Sequence, residues 1–332
     1  MAFIDIQAAK VIDGSTRAVY PESLDPNILK GAARIAEEGI AIPVLIGARE
    51  EIEAKAAEIG VTVKNAQFVN PVDYPKKEEY AQELGKQIGL PKAVAEIMLK
   101  KPLYFASMMV RSGDADIIVA GIETETSEVV AVYKAIIGME EGIKTPSCLT
   151  IVEAPQYKGG ENNVFAMADM AINIDPTAEE LADIAIASAH TMGSIIDDSA
   201  RIAMLSFSTL GSSNHEKAKK IAEATRIAAE REPELYIDGE MQLDAAVMPD
   251  VAARKFPKES KVAGKANVLI FPSLDAGNIA LKLLQRMAGA NSSGGVLQGF
   301  AKPVCDLSRG ATDGQVYRNT VILTRYFQGK NK

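Results

Sequence analysis

Two histidines, His190 and His215, and two cysteines, Cys148 and Cys305, are all that this 332-residue chain offers among the softer metal ligands. They stand too far apart for a zinc-like cluster to be assembled from spacing, and they supply no disulfide framework. His190 falls within a helical pattern, where a satisfied structural histidine is the expectation. The chain has no Gly-x-x-x-x-Gly-Lys-Ser/Thr phosphate loop, no Gly-x-Gly-x-x-Gly after a strand, and no nucleophile elbow of a Ser–His–Asp hydrolase. No run approaches ~18 consecutive apolar residues, so no membrane span is expected. The opening MAFIDIQAAKVIDGST lacks a basic region followed by an apolar core, so no secretory signal is expected. With so few cysteines, a reducing cytoplasm is the expected compartment.

Basic residues are also in deficit. Lys and Arg number 36 against 44 Asp and Glu, a net charge of −8 with no basic run. This argues against nucleic-acid binding. It leaves anionic small molecules open, provided that cations and backbone amides are gathered locally.

What is present is alternation. AIPVLIG (41–47), DADIIVAG (114–121), ARIAMLSFS (200–208) and ANVLIFPS (266–273) read as buried strands of a parallel sheet. Between them, Thr177 followed by Glu180 forms a capping box, and Leu181, Ile184, Ala185, Ser188 and Met192 then share one helical face. A second helix runs through HEKAKKIAEATRIAAERE (215–232) and stops before Pro233. Strands alternating with helices predict an α/β fold with parallel-rich sheets, and the length suits two domains. YKGGENN (157–163) reads as an exposed hairpin or loop.

Three strand-to-loop junctions carry the polar chemistry. SFSTLGSSNHEK (206–217) places Ser206, Ser208, Thr209, Gly211, Ser212 and Ser213 between a strand and a helix, either an anion cradle or a serine-rich cap. In FPSLDAGNIALKLLQRMAGA (271–290), Asp275, Gly277 and Asn278 turn the chain into a helix that carries Lys282, Gln285 and Arg286. Ligands of parallel sheets bind outside the carboxyl ends of strands, where this turn falls, although Asp275 serves equally well as a helix cap. The third junction, KPVCDLSRGATDGQVY (302–317), gathers Asp306, Ser308, Arg309, Thr312 and Asp313. An arginine there suits bidentate bonding to phosphate or a carbonyl oxygen.

Together these stretches resemble the phosphate acetyltransferase/phosphate butyryltransferase family. The similarity also includes VYPESLDPNILKGAARIAEEGIAIPVLIG (19–47), KPLYFASMMVRSGDADIIVAG (101–121), ADMAINIDPTAEELADIAIASAHT (168–191) and ELYIDGEMQLDAAV (234–247). The Asp-Leu-Ser-Arg-Gly and Pro-x-Leu-x-x-Gly-Asn signatures resemble the acetyl branch more than the butyryl branch. The resemblance implies two open α/β domains of the isocitrate/isopropylmalate dehydrogenase type with the active cleft between them. On this chain they would be 1–147 plus 301–332, carrying the Asp-Leu-Ser-Arg segment, and 148–300. It further implies a homodimer, and transfer of a short acyl group between CoA and inorganic phosphate, with CoA as a substrate and no metal or other cofactor. The CoA thiolate would attack the acyl-phosphate carbonyl, and the tetrahedral oxyanion would need stabilising. By matching positions, Ser308 becomes a hydrogen-bond donor to the thiol or oxyanion, and Arg309 holds the phosphate and the developing charge. Ser206, Ser208, Thr209, Gly211 and Ser212 become phosphate-side residues, with Asp275, Asn278 and Arg286 as further substrate-binding candidates.

Four positions depart from the family pattern. Its catalytic aspartate, seven residues after the signature serine, is replaced by Gln315, which brings Asp313 forward as the candidate base. Two arginines that help bind acyl phosphate and CoA are replaced by Gly85 and Ala131, the latter near Glu123, Glu125 and Glu128. The asparagine before the signature is Cys305. Two further readings therefore stay open: the same fold with a changed substrate or thiol carrier, and a non-catalytic relative. In the first, Cys305 becomes an acyl-thioester nucleophile if Arg309 lowers its pKa; otherwise it is a small buried residue.

Overall fold

The computed structural model describes residues 2–154, 157 and 163–330. The expected loop at 157–163 lies outside them apart from Tyr157 and Asn163. The chain divides into two compact units, residues 1–141 with 300–332, and residues 142–299.

The first unit opens with helix α1 (Phe3–Ala9), strand β1 (Arg17–Tyr20), α2 (Pro26–Glu37), β2 (Ile42–Ile46), α3 (Arg49–Glu58) and β3 (Gln67–Val69). It continues through α4 (Lys77–Ile88), α5 (Lys92–Met98), α6 (Pro102–Arg111), β4 (Ile117–Ala120) and α7 (Thr126–Ile136). The second unit runs β5 (Ser147–Glu153), β6 (Val164–Ala168), α8 (Ala178–Ile195), β7 (Arg201–Leu205), α9 (Glu216–Arg231) and β8 (Tyr236–Met241). Then come α10 (Leu243–Val247), α11 (Pro249–Lys255), β9 (Val268–Ile270), α12 (Leu274–Met287) and β10 (Asn291–Gln298). The chain re-enters the first unit with β11 (Val304–Asp306) and α13 (Asp313–Lys330).

In the first unit the strand order is β3-β2-β1-β4-β11, all parallel. Every residue of β4 is buried, as a strand covered on both faces by helices requires. Helix α13 lies close against α2, because Gly31 has no side chain to strike Val316. A Cβ at Gly31 would come within 2.6 Å of Val316 Cγ1. The Arg34 guanidinium stacks over the Tyr317 ring at 3.7 Å, and the Tyr317 hydroxyl donates to Glu38. These contacts fix the N-terminal end of α13, where the Ser-Arg-Gly turn delivers the chain.

In the second unit the order is β10-β5-β6-β9-β7-β8. Strands β6, β9, β7 and β8 pair in parallel, while β10–β5 and β5–β6 are antiparallel. The expectation of parallel-rich sheets therefore holds: the four expected strands all pair in parallel, and the antiparallel pairings are those of β5 with β10 and β6. Phe165, Met167, Met241, Phe256 and Leu269 form part of one buried cluster in this unit. Helix α8 starts at the expected capping box, with the Thr177 hydroxyl accepting from the Glu180 amide and Glu180 accepting from the Thr177 amide. His190 lies on this helix, 3.9 Å from Glu232.

Candidate active site

At the carboxyl end of the first unit's sheet, β11 pairs with β4 through Val304–Ile118, Cys305–Val119 and Asp306–Ala120. The ladder ends where the Leu307 amide donates to the Ala120 carbonyl. Ser308 and Arg309 then leave the sheet and are exposed, and the Ala311 amide donates back to the Ser308 carbonyl at 2.8 Å, closing a tight turn. Arg309 lies 3.9 Å from Glu125, with about seven-tenths of each side chain exposed. An ion pair so open to solvent contributes little and leaves the guanidinium available to an anion.

Asp313 opens α13 and is exposed. Gln315 stands one turn in, and its side chain is committed to the helix. Its Oε1 accepts from the Thr312 amide at 3.0 Å, while its own amide donates to Thr312 Oγ1 at 3.3 Å. Thr-x-x-Gln is a capping box, so the residue at the expected base position does helix-end work.

The loop after β4 is organised by a carboxylate that sequence reasoning missed. Glu22, nine-tenths buried, accepts hydrogen bonds from the amides of Gly121, Ile122, Glu123 and Thr124 and from the Thr124 hydroxyl. Such a nest satisfies a buried charge that would otherwise be costly. Glu123, beside Glu22 and Asp25, titrates above the usual carboxylate range, first through partial burial and then through those like charges. Just beyond, the Thr126 hydroxyl donates to Asp306 Oδ2 at 2.5 Å. Asp306 is pushed up to about 6 by burial, with the nearby Glu22 carboxylate adding to the shift.

Cys305 is fully buried between these elements, and the Tyr133 hydroxyl donates to its carbonyl oxygen at 3.1 Å. Burial pushes its thiol well above the ordinary cysteine value, and the carboxylates of Asp306 and Glu22 raise it further. The condition for a nucleophilic Cys305 is thus reversed, and the residue packs as a small buried side chain.

The two positions without arginine differ from each other. Ala131 is exposed on α7. Gly85 is buried on α4, and any Cβ there would meet the Leu90 carbonyl oxygen at 2.8 Å. Only Ala131 has room for a longer side chain.

In the second unit, Ser206, Ser208, Thr209, Gly211 and Ser212 are brought together in the loop between β7 and α9. The buried carboxylate of Glu240 accepts from the Ser208 hydroxyl at 2.7 Å and from the Gly211 amide at 2.8 Å. Ser208 Oγ takes the Ser213 amide, Ser212 Oγ takes the Thr209 amide, and Thr209 Oγ1 takes the Gln242 amide. Ser208 and Thr209 are consequently buried, whereas Gly211 and Ser212 are exposed and Ser206 is half-buried. The His215 side chain, rather than a serine, caps α9 by accepting from the Lys217 amide. The loop's hydroxyls thus hold much of its own backbone, and Gly211 and Ser212 are exposed beside Phe207 and Leu210.

Asp275, Asn278 and Arg286 all lie on α12 but are not gathered at one point. Ser273, not Asp275, caps this helix. Arg286 is eleven residues beyond Asp275, about 16 Å along the axis at ~1.5 Å per residue. The start of α12 meets the end of β6, where Gly277 allows the approach: a Cβ there would come within 2.8 Å of the Asp169 carbonyl oxygen. Asp169, a third buried carboxylate that sequence reasoning missed, accepts from the amides of Cys148, Ala171, Ile172 and Asn173. Among the described residues no cluster of His, Cys, Asp and Glu is arranged to hold a metal ion, and no helix is long and apolar enough to cross a membrane.

Residues 3–324 match the phosphate acetyl/butaryl transferase family. The chain belongs to that family. It is 43% identical over 315 residues to a phosphate acetyltransferase of Thermoanaerobacterium thermosaccharolyticum, covering 94% of this chain and 95% of the relative. It is 41% identical to a phosphate acetyltransferase of Bacillus subtilis, covering 95% of each chain. A solved phosphotransacetylase from Streptococcus pyogenes superposes with a TM-score of 0.90 at 35% identity, with all of both chains covered. Family membership accounts for the order of the motifs along the chain. Relatives named for acetyl transfer favour that chemistry over a changed substrate or a lost reaction.

Proposed function

We propose that this protein is an enzyme that transfers an acetyl group between CoA and inorganic phosphate. The observation that carries the reading is near-full-length similarity to phosphate acetyltransferases at up to 43% identity. The exposed Ser308–Arg309 turn at the end of β11 gives the reading its chemistry.

In the direction of acetyl-CoA formation, a base takes the CoA thiol proton and the thiolate attacks the carbonyl carbon of acetyl phosphate. The carbonyl electron pair moves to oxygen as the C–S bond forms. It returns as the C–O bond to phosphate breaks and phosphate leaves. Asp313 is our candidate base, because it is exposed near the turn while Gln315 is engaged in capping. Ser308 donates a hydrogen bond to the thiol or the oxyanion, and Arg309 holds the phosphate and the developing negative charge. The phosphate-side role falls to Ser206, Gly211 and Ser212, with Ser208 and Thr209 holding the loop in shape. Asp275 and Asn278 remain candidates for substrate contact at the start of α12, whereas Arg286 is too far along that helix to join them at one small group. The enzyme is further proposed to act in the cytoplasm as a homodimer, on small molecules alone.

The test is acetyl-CoA formation from acetyl phosphate and CoA, run beside acyl phosphates from propionyl to pentanoyl. Turnover that depends on CoA, with acetyl preferred, supports the proposal. Absence of acyl transfer across the panel rejects it, and binding of CoA without turnover assigns the protein to a non-catalytic role.

A further inference from the structure

Asp306 has no place in the reaction as written, yet its surroundings are unusual for a residue two positions before Ser308. Its Oδ2 takes the Thr126 hydroxyl at 2.5 Å, a length typical of a hydroxyl bonded to an ionised carboxylate. Its Oδ1 is buried without a hydrogen-bond partner. That oxygen fits against Gly121, where a Cβ would approach it to 2.2 Å. Thr126 is the first residue of α7, and the preceding Glu125 faces Arg309 across 3.9 Å. The first turn of α7 thus meets both the base of the Ser308–Arg309 turn, through Asp306, and its tip, through Arg309. Because the Glu125–Arg309 pair is open to solvent, the part-buried Thr126–Asp306 bond is the stronger tie.

We infer that Asp306 is a positioning residue for acetyl transfer, holding the Ser308–Arg309 turn against α7 through Thr126 when its carboxylate is ionised. The inference rests on the acetyl-transfer reading of that turn. The groups that surround the carboxyl are Glu22 from the loop after β1, Cys305 on its own strand and Tyr133 on α7, with Thr126 as its donor. The three titratable neighbours are neutral or negative, so they oppose ionisation, and the Thr126 hydroxyl favours it. Protonation turns the charge-assisted bond into a neutral one of roughly half the strength. The turn should then loosen as pH falls through about 6.

Kinetics and proteolysis test this together. Asp306→Asn keeps the shape and removes the charge, Thr126→Val removes the donor, and Thr126→Ser restores it. Asp306→Asn is expected to lower kcat by on the order of 10- to 10²-fold, as for slight misplacement of catalytic groups, with the KM for CoA within about twofold. The unaltered enzyme is expected to show an acid limb in its kcat profile near pH 6, and Asp306→Asn should abolish it. Thr126→Val should share the loss of kcat, and Thr126→Ser should recover most of it. Trypsin cleavage after Arg309, at one fixed pH, reports the turn without any activity. It should rise several-fold in Asp306→Asn and Thr126→Val relative to cleavage after Arg318 and Arg325 in α13, and return to the starting rate in Thr126→Ser. If the unaltered protein transfers no acetyl group, the functional reading fails while proteolysis still decides the tie. Unchanged cleavage after Arg309 in both variants, or an acid limb that survives Asp306→Asn, overturns the inference.

Discussion

The Thr312 amide donates to Gln315 Oε1 while the Gln315 amide donates to Thr312 Oγ1, so the side chain at the family's aspartate position closes the N-terminus of α13. Gln315→Ala should therefore cost stability rather than chemistry, about 1 kcal/mol in urea unfolding, with kcat within about twofold. Asp313→Asn should do the reverse, lowering kcat by on the order of 10²–10⁴ with little change in stability. A large kcat loss in Gln315→Ala with Asp313→Asn unaffected would remove Asp313 as the base and put Gln315 in contact with the reacting groups.

Ala131 and Gly85 should respond in opposite ways to arginine. At exposed Ala131 the new cation sits one turn from Glu128 and is expected to lower the KM for CoA several-fold, most at low ionic strength. At Gly85 the side chain must displace the Leu90 carbonyl oxygen 2.8 Å away, so Gly85→Arg should unfold at markedly lower temperature. Equal tolerance of both substitutions, measured by thermal unfolding, contradicts this assignment.

Glu240 organises the hydroxyl loop through Ser208 and Gly211. Glu240→Ala takes the acceptor from the buried Ser208 hydroxyl, at about 1–3 kcal/mol, and releases the Gly211 amide at the exposed end of the loop. It should raise the KM for phosphate along with the loss of stability. Glu240→Gln, which keeps an acceptor, should lie between. A stable Glu240→Ala protein with an unchanged phosphate KM would show that the loop does not depend on this carboxylate.

Cys305 should resist alkylation in the native protein and react only after unfolding, because burial raises its thiol pKa and excludes reagent. Cys305→Ala should keep kcat within a few-fold. An acyl group found on Cys305 by mass spectrometry after incubation with acetyl phosphate would restore the covalent alternative.

Where one local rule decides an element, the sequence displayed it: the Thr177–Glu180 box starts α8 as written, and the apolar runs at 42–46, 117–120, 201–205 and 268–270 form strands. Strand β10 was illegible because Asn291–Gln298 reads NSSGGVLQ, whose glycines and serines carry no strand pattern, and its pairing with β5 supplies the conformation. Of the candidate site, Ser308 and Arg309 are proposed through family resemblance. Asp169 was not legible, because the amides of Ala171, Ile172 and Asn173 meet it in a local turn whose burial the sequence does not display. Glu22 and Glu240 were not, because each serves amides distant in sequence, and spacing along the chain encodes no such partner. Thr126 was missed for the same reason, since its partner lies 180 residues away. The exposed Asp275 looked like a cap, but Ser273 two residues earlier holds that position.

The most direct measurement is the steady-state rate of acetyl-CoA formation from acetyl phosphate and CoA, by the unaltered protein and by Arg309→Ala. The account predicts CoA-dependent turnover whose kcat falls by on the order of 10²–10³ in the variant, as for removal of one transition-state donor, with the fold intact by circular dichroism. Turnover by Arg309→Ala equal to that of the unaltered protein, or no acetyl transfer by the unaltered protein, would contradict it.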